Sequence, residues 1–307
     1  MEKFFIKICI DEKLSEMNYN ICKRCEMIYI KAPAKINLSL DVISKRDDGY
    51  HNIKTLMMMT SLGDDMRFSL ADKVDIKPQF DFPLEENLIF KAYLKLKEYV
   101  NKDLPFEVVI DKKIPIAAGL AGGTSNGAAV FYGLNDLYDL KLDKKILTNL
   151  AKSLGADFTY MMTGGVCIAS GVGDQLEMLD DIKLQNVLLV NPGIQISTPY
   201  VYNNIKIKDD RINFTEVYKG LKDIDIERLN RYMGNSMEEV VFKDYSLIKN
   251  IKDKMRSFDA ASLMSGSGST VFGIFQNDKD LKLAFDIFKE QYNLCYKVEA
   301  GGEHGSF

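Results

Sequence analysis

The residues best equipped for chemistry lie in Ile114-Pro-Ile-Ala-Ala-Gly-Leu-Ala-Gly-Gly-Thr-Ser-Asn-Gly-Ala-Ala129. Gly119, Gly122 and Gly123 let backbone N–H groups approach a ligand closely, and Thr124 and Ser125 add hydroxyls where a helix should begin. The first N–H groups of a helix lack partners and sit at the positive end of its dipole, so they attract anions. Together these features describe a phosphate cradle. The stretch is not a Walker A loop, because no Lys-Ser/Thr follows at the required spacing, and it is not Gly-x-Gly-x-x-Gly. A glycine-rich turn alone is more often structural. Here the density of small residues and the two hydroxyls before Ala128-Ala129 favour phosphate.

Other reactive side chains are scarce. The two histidines, His51 and His304, cannot build a three-histidine metal site, and His304 lies in a glycine-rich tail. The five cysteines are Cys9, Cys22, Cys25, Cys167 and Cys295, an odd count that fits reduced thiols. Cys22-Lys-Arg-Cys25 has a zinc or redox spacing, but no second pair or nearby histidine completes it, so it reads as a chance pair.

The frame around them is ordinary for a globular protein. The chain has 307 residues, 46% hydrophobic and 27% charged, with 40 Lys+Arg against 44 Asp+Glu and a net charge of −4. At roughly 100–200 residues per domain, this length predicts two domains or one large one. No uncharged apolar run approaches the roughly 18 residues of a membrane span. Met1-Glu-Lys-Phe-Phe-Ile-Lys7 shows no signal-peptide pattern, so a cytoplasmic setting is expected. The slight acidity argues against non-specific nucleic-acid binding.

Residues 1–26 read as a leader outside the core, and strands begin at Met27. Ile28–Ala32 and Ala34–Ile43 are expected strands, the second alternating Ile36, Leu38 and Leu40 with polar residues. Further strands are expected around Lys54–Thr60, Met66–Leu70, Val74–Lys77, Phe106–Ile110, Val166–Ser170 and Val187–Val190. Asn87 should cap a helix through Val100, Ser125–Leu137 should form a second, and Asp143 should cap a third that stops at Gly155. Ser197-Thr198-Pro199 reads as cap and first-turn proline. A charged helical region over 211–257, a strand–glycine turn–strand over Ala261–Phe275, a helix Lys279–Gln291 and a strand Leu294–Val298 close the chain. The mixture is α+β, without a regular βαβ repeat.

At this level the chain resembles the GHMP kinase superfamily. Pro115–Ser125 is similar to its ATP-loop signature, Ser265-Gly-Ser-Gly-Ser269 to its C-terminal glycine signature, and Pro33-Ala-Lys-Ile-Asn-Leu38 to its first signature. Lys45-Arg-Asp-Asp-Gly-Tyr-His51, Glu86-Asn-Leu-Ile89, Leu154-Gly-Ala-Asp157 and Pro192-Gly193 with Ser197-Thr198-Pro199 resemble the branch acting on a cytidine-diphosphate-linked methylerythritol. The resemblance spans Met27 to the C-terminus. It implies an ATP-binding domain like the second domain of ribosomal protein S5 over 27–175 and a ferredoxin-like substrate domain over 176–307, with the site between them. It also implies a left-handed βαβ crossover, against the usual hand. The implied reaction moves the ATP γ-phosphoryl group, with Mg²⁺, to the substrate 2-hydroxyl in non-mevalonate isoprenoid synthesis.

The roles follow from the same resemblance. Asp157 takes the hydroxyl proton and Lys35 stands beside it. Without the resemblance, Asp157 is a solvated turn acid and Lys35 an outward-facing strand residue. Asn37 orients the substrate, Tyr50 stacks on cytosine, His51 hydrogen-bonds it, and Tyr202, near Thr198, closes the stack as a second aromatic. ATP is held by Pro115, Ile116, Ala117, Ala118, Gly119, Leu120, Ala121, Gly122, Gly123, Thr124 and Ser125, with Asn87, Leu88 and Lys112 around adenine and ribose.

Three positions depart from the family pattern. Thr124 replaces serine, Phe158-Thr159 stands where Val-Pro is general, and Gly127 replaces alanine at about 1 kcal/mol of helix propensity. The competing expectations are a homoserine- or mevalonate-type kinase, a non-catalytic ligand-binding member, and an RNA-binding S5-like module. The first has no need of Asp-Gly-Tyr-His, the second predicts loss of Asp157 or Lys35, and the third lacks a basic stripe.

Overall fold

The structure, a computed structural model, describes residues 27–302. The leader, the Cys22/Cys25 pair and His304 lie outside the described residues. Two long antiparallel strands, β1 (Ile28–Lys45) and β2 (His51–Leu70), form the spine. The short strands expected on either side of Pro33 are one strand of 18 residues, and those at 54–60 and 66–70 are halves of one strand of 20. Proline has no N–H to give the ladder. The pairing accommodates Pro33 by a register shift between Pro33 and Lys35, with another between Asn37 and Ser39. Ala32 to Val42 are buried without a break, polar alternates included, so this strand is covered on both faces.

One half of β2 pairs with β4 (Phe106–Asp111), which runs parallel to β3 (Asp75–Lys77) after the intervening helix α1 (Leu88–Val100). Then come α2 (Gly122–Leu137), α3 (Lys144–Lys152), α4 (Ala156–Thr163) and the hairpin β5 (Cys167–Ser170) with β6 (Gln175–Met178). Phe68, Phe106, Phe131 and Phe158 fill the core between these helices and the sheet. The expected caps form: Asn87 accepts from Ile89 N at 2.9 Å and Asp143 from Ile146 N at 2.8 Å. Two expectations need correction. The second helix begins at Gly122 rather than Ser125, so Gly122 and Gly123 form its first turn. The helix after Asp143 ends at Lys152, and Asp157 sits in the first turn of a separate helix, α4, rather than on a free turn.

The second half comprises β7 (Lys183–Asn191), α5 (Thr198–Asn204), α6 (Phe214–Asp223), α7 (Ile226–Tyr232), α8 (Glu238–Asp244), α9 (Ser246–Arg256), β8 (Ala261–Met264), β9 (Val271–Ile274), α10 (Asp278–Gln291) and β10 (Leu294–Gly301). Its sheet runs β10-β7-β9-β8, the fourth-first-third-second order of a ferredoxin-like arrangement. A single pairing, Ala300 with Thr60, joins it to β2. Among the described residues no helix is long and apolar enough to cross a membrane.

Candidate active site

A cleft of about 770 Å³ is lined by β1, the glycine loop, the starts of α4 and α5, and the 265–270 turn. On its floor β1 presents Lys35 and Asn37, with Lys35 only 5% exposed. Lys35 Nζ donates to Asn37 Oδ1, Asn37 Nδ2 donates to Thr55 Oγ1 at 2.8 Å, and Thr55 Oγ1 donates to Ser39 O at 2.8 Å. This relay fixes the Asn37 amide and aims the ammonium. Asp157 Oδ2 stands 4.0 Å from Lys35 Nζ and its side chain is 44% exposed. That separation is longer than a hydrogen bond, so both groups keep capacity for a substrate hydroxyl. The first turn of α4 also places the carboxylate at the positive end of that helix.

The glycine loop takes a conformation that its alanines conceal. Ala117, Gly119 and Ala121 all have positive φ, 52°, 75° and 54°. A non-glycine residue there costs roughly 1–2 kcal/mol. No side chain caps α2 among the described residues, which leaves its first N–H groups free to face an anion. Gly119 is required twice over, since a Cβ there would stand 2.1 Å from Ser265 O. The Ser265 hydroxyl donates to Gly119 O at 2.9 Å and accepts from Asn37 N at 3.2 Å. The 265–270 turn therefore locks the glycine loop to β1.

At the other end, His51 and Tyr202 stack with ring centroids 5.0 Å apart. Burial pushes the Tyr202 phenol up to about 12, with the Asp157 charge adding to it. Tyr50 lines the cleft and is 66% exposed, and the ring stacked on Tyr202 is His51. Thr198 Oγ1 meets Ser267 Oγ at 2.7 Å.

The cleft lining includes Asn87, Leu88, Lys112, Pro115, Ile116, Ala117, Ala118, Gly119, Ala121, Gly122, Gly123 and Thr124. Leu120 and Ser125 stand behind that surface. The Leu120 side chain is core, while its carbonyl accepts from Lys35 N at 3.1 Å. Ser125 is fully buried and its hydroxyl has no partner among the described residues. Sequence reasoning missed Phe80 and Phe82, which stack at 5.3 Å and line the cleft beside Asn87, and it missed Thr55 and Ser267. Two aromatics with a single residue between them are the signal in the sequence for the first pair. Gly127 and Phe158 fit one another. A Cβ at Gly127 would stand 2.8 Å from Phe158 Cζ, so the larger residue on α4 occupies the space that the glycine on α2 leaves.

Residues 87–173 match the GHMP kinases N terminal domain, and residues 217–294 match the GHMP kinases C terminal family. The chain is 36% identical over 281 residues to a 4-diphosphocytidyl-2-C-methyl-D-erythritol kinase of Acetivibrio thermocellus, covering 89% of this chain and 99% of that one. It is 38% identical over 288 residues to the Clostridioides difficile kinase of the same name, covering 90% and 96%. A crystal structure of 4-(cytidine 5'-diphospho)-2C-methyl-D-erythritol kinase superposes with a TM-score of 0.79 at 28% identity, over 90% of this chain and 100% of that one. A homoserine kinase from Cytophaga hutchinsonii shares the fold, with a TM-score of 0.67 at 17% identity over 91% of this chain and 96% of that one.

Proposed function

This chain belongs to the GHMP kinase family, and on that premise we propose that it moves the γ-phosphoryl group of ATP to the 2-hydroxyl of 4-diphosphocytidyl-2-C-methyl-D-erythritol. One observation supports this best: the Lys35–Asp157 pair shares a single cleft with a phosphate loop and an aromatic pair. Phosphoryl transfer asks the protein mainly for positioning and charge neutralisation. The free N–H groups at the start of α2 hold the ATP phosphates, with Thr124 at their side. Asp157 accepts the proton of the attacking hydroxyl, and Lys35, steadied by Asn37, places positive charge where negative charge develops.

His51 and Tyr202 receive the cytosine, with Tyr50 at the rim. A neutral imidazole both donates and accepts a hydrogen bond, which suits the edge of a base. Burial, helped by the charge of Lys45, lowers the His51 pKa and favours that form. Asn87, Leu88 and Lys112 surround the adenosine end.

Among the described residues no three His, Cys, Asp or Glu side chains converge as a metal cage. Mg²⁺, the usual companion of ATP, is commonly held by substrate phosphates and one or two carboxylates. The Thr124 hydroxyl, in the cleft lining beside the start of α2, would help hold the ion, which would neutralise phosphate charge. The same reading takes 27–175 as the ATP-binding domain and 176–307 as the substrate domain of a cytoplasmic enzyme acting on small molecules rather than nucleic acid. Phosphorus NMR of the product tests the proposal. A new phosphomonoester on the tertiary 2-hydroxyl, with the diphosphate bridge intact, is expected; a modified primary hydroxyl or bare ATP hydrolysis would refute it.

A further inference from the structure

Asp64 lies on β2 with its side chain fully buried, and it touches none of the groups assigned above to reacting atoms. It accepts four hydrogen bonds. Oδ2 takes Lys112 Nζ at 2.6 Å and Asn126 Nδ2 at 2.9 Å, while Oδ1 takes Lys113 N at 2.7 Å and Ile114 N at 2.8 Å. Lys112 Nζ also donates to Ile114 O at 2.7 Å. A buried carboxylate is tolerated only when its oxygens are so satisfied. The placement of the donors is the telling feature. Lys112 to Ile114 lead into the glycine loop, and Asn126 lies in the helix that leads out of it.

One carboxylate thus ties both ends of the phosphate loop to the sheet. Gly122 tightens the same junction, because a Cβ there would stand 2.8 Å from Ile114 Cγ2 and 3.1 Å from Lys112 Nζ. We propose that Asp64 is the positioning residue of the ATP loop: it sets the separation of Ile114 from α2, and so the aim of the α2 N–H groups at the nucleotide phosphates. Lys112, committed to Asp64 and Ile114 O, works in this reading as part of the brace rather than as a free phosphate cation. The proposal rests on the kinase reading only for the identity of the ligand.

The test uses the full chain with calorimetric titration of ATP and of the cytidine-linked substrate, together with amide hydrogen exchange over 115–124 in the ligand-free protein. Asn126→Ala removes the helix tether while leaving Asp64 three donors. It should weaken ATP binding by about tenfold, leave substrate affinity within about twofold, and speed exchange in the loop. Asp64→Asn should weaken ATP binding further, and the exchange of the two groups in Asp64→Asn/Asn126→Asp should restore it to within about threefold of the unaltered protein.

Unchanged ATP affinity and unchanged loop exchange in Asn126→Ala would overturn the proposal. So would equal weakening of both ligands in Asp64→Asn with no recovery in the exchanged pair, since that is the behaviour of a purely structural acid. If Asp64→Asn does not fold, Asn126→Ala decides. If the unaltered protein binds no ATP, the kinase reading fails, and loop exchange alone decides the role of Asp64.

Discussion

His51 and Tyr202 lie ring on ring, their centroids 5.0 Å apart and their planes within 22°. His51 opens β2, the strand paired with the β1 that carries Lys35, whereas Tyr202 belongs to α5 in the second half of the chain. Their contact makes one continuous wall from two separately built regions. It also makes Tyr202 the support for the imidazole, a task that the sequence assigned to neither residue.

Tyr202→Ala should cost roughly 1–3 kcal/mol of substrate binding, the range for losing an aromatic platform under a base, which is about five- to 150-fold in Kd. Tyr202→Phe keeps the ring and should be nearly silent. ATP affinity, measured by calorimetry on the same proteins, should barely move. Unchanged substrate affinity in the alanine variant would remove this wall from the site.

Acidification should act through His51. Its pKa lies below the usual 6.5, first through burial and then through the charge of Lys45. The unfolded chain therefore takes up the proton at higher pH than the folded one. The stability from this group is full above about pH 6.5 and is lost as pH falls through the folded pKa. Melting temperatures of the parent should fall more steeply than those of His51→Asn between about pH 7 and about pH 5.5. Parallel curves would contradict the assignment.

Gly127 and Phe158 should be energetically coupled. Gly127→Ala gains helix propensity of about 1 kcal/mol, yet its Cβ would stand 2.8 Å from the Phe158 ring, and such overpacking costs about 1–3 kcal/mol. Phe158→Val makes room. The double-mutant cycle, read by urea denaturation, should give a favourable coupling of at least about 0.5 kcal/mol. Strict additivity would mean that the two helices adjust without cost.

Asp157→Asn should fold normally and bind ATP, because the side chain is partly exposed and packs in no core. Turnover should fall by at least about 10²-fold. A near-normal kcat would take Asp157 out of the proton transfer.

How much of this was legible depended on the range of each interaction. The caps at Asn87, Asp143 and Ser197 were readable because each side chain bonds a backbone N–H two or three residues on. The unity of β1 was not, since Pro33 reads locally as a break and is rescued only by its pairing with β2. Helix α4, eight residues between Gly155 and Gly164, is too short to show a period. The left-handed turns at Ala117 and Ala121 leave no trace in residue type, as a glycine would. Asp64 was invisible for the opposite reason: its donors arrive from 48 to 62 residues away. Lys35, Asn37 and Asp157 were found through motif resemblance, and their spatial convergence came from the fold.

The most direct measurement of the central claim is kcat/KM for ATP-dependent phosphorylation of three acceptors by the purified full chain: 4-diphosphocytidyl-2-C-methyl-D-erythritol, mevalonate and homoserine. A site with a base-stacking wall at one end should prefer the cytidine-linked acceptor by at least about 10³-fold, since the others leave that wall empty. Comparable values for all three, or a preference for mevalonate or homoserine, would contradict the account.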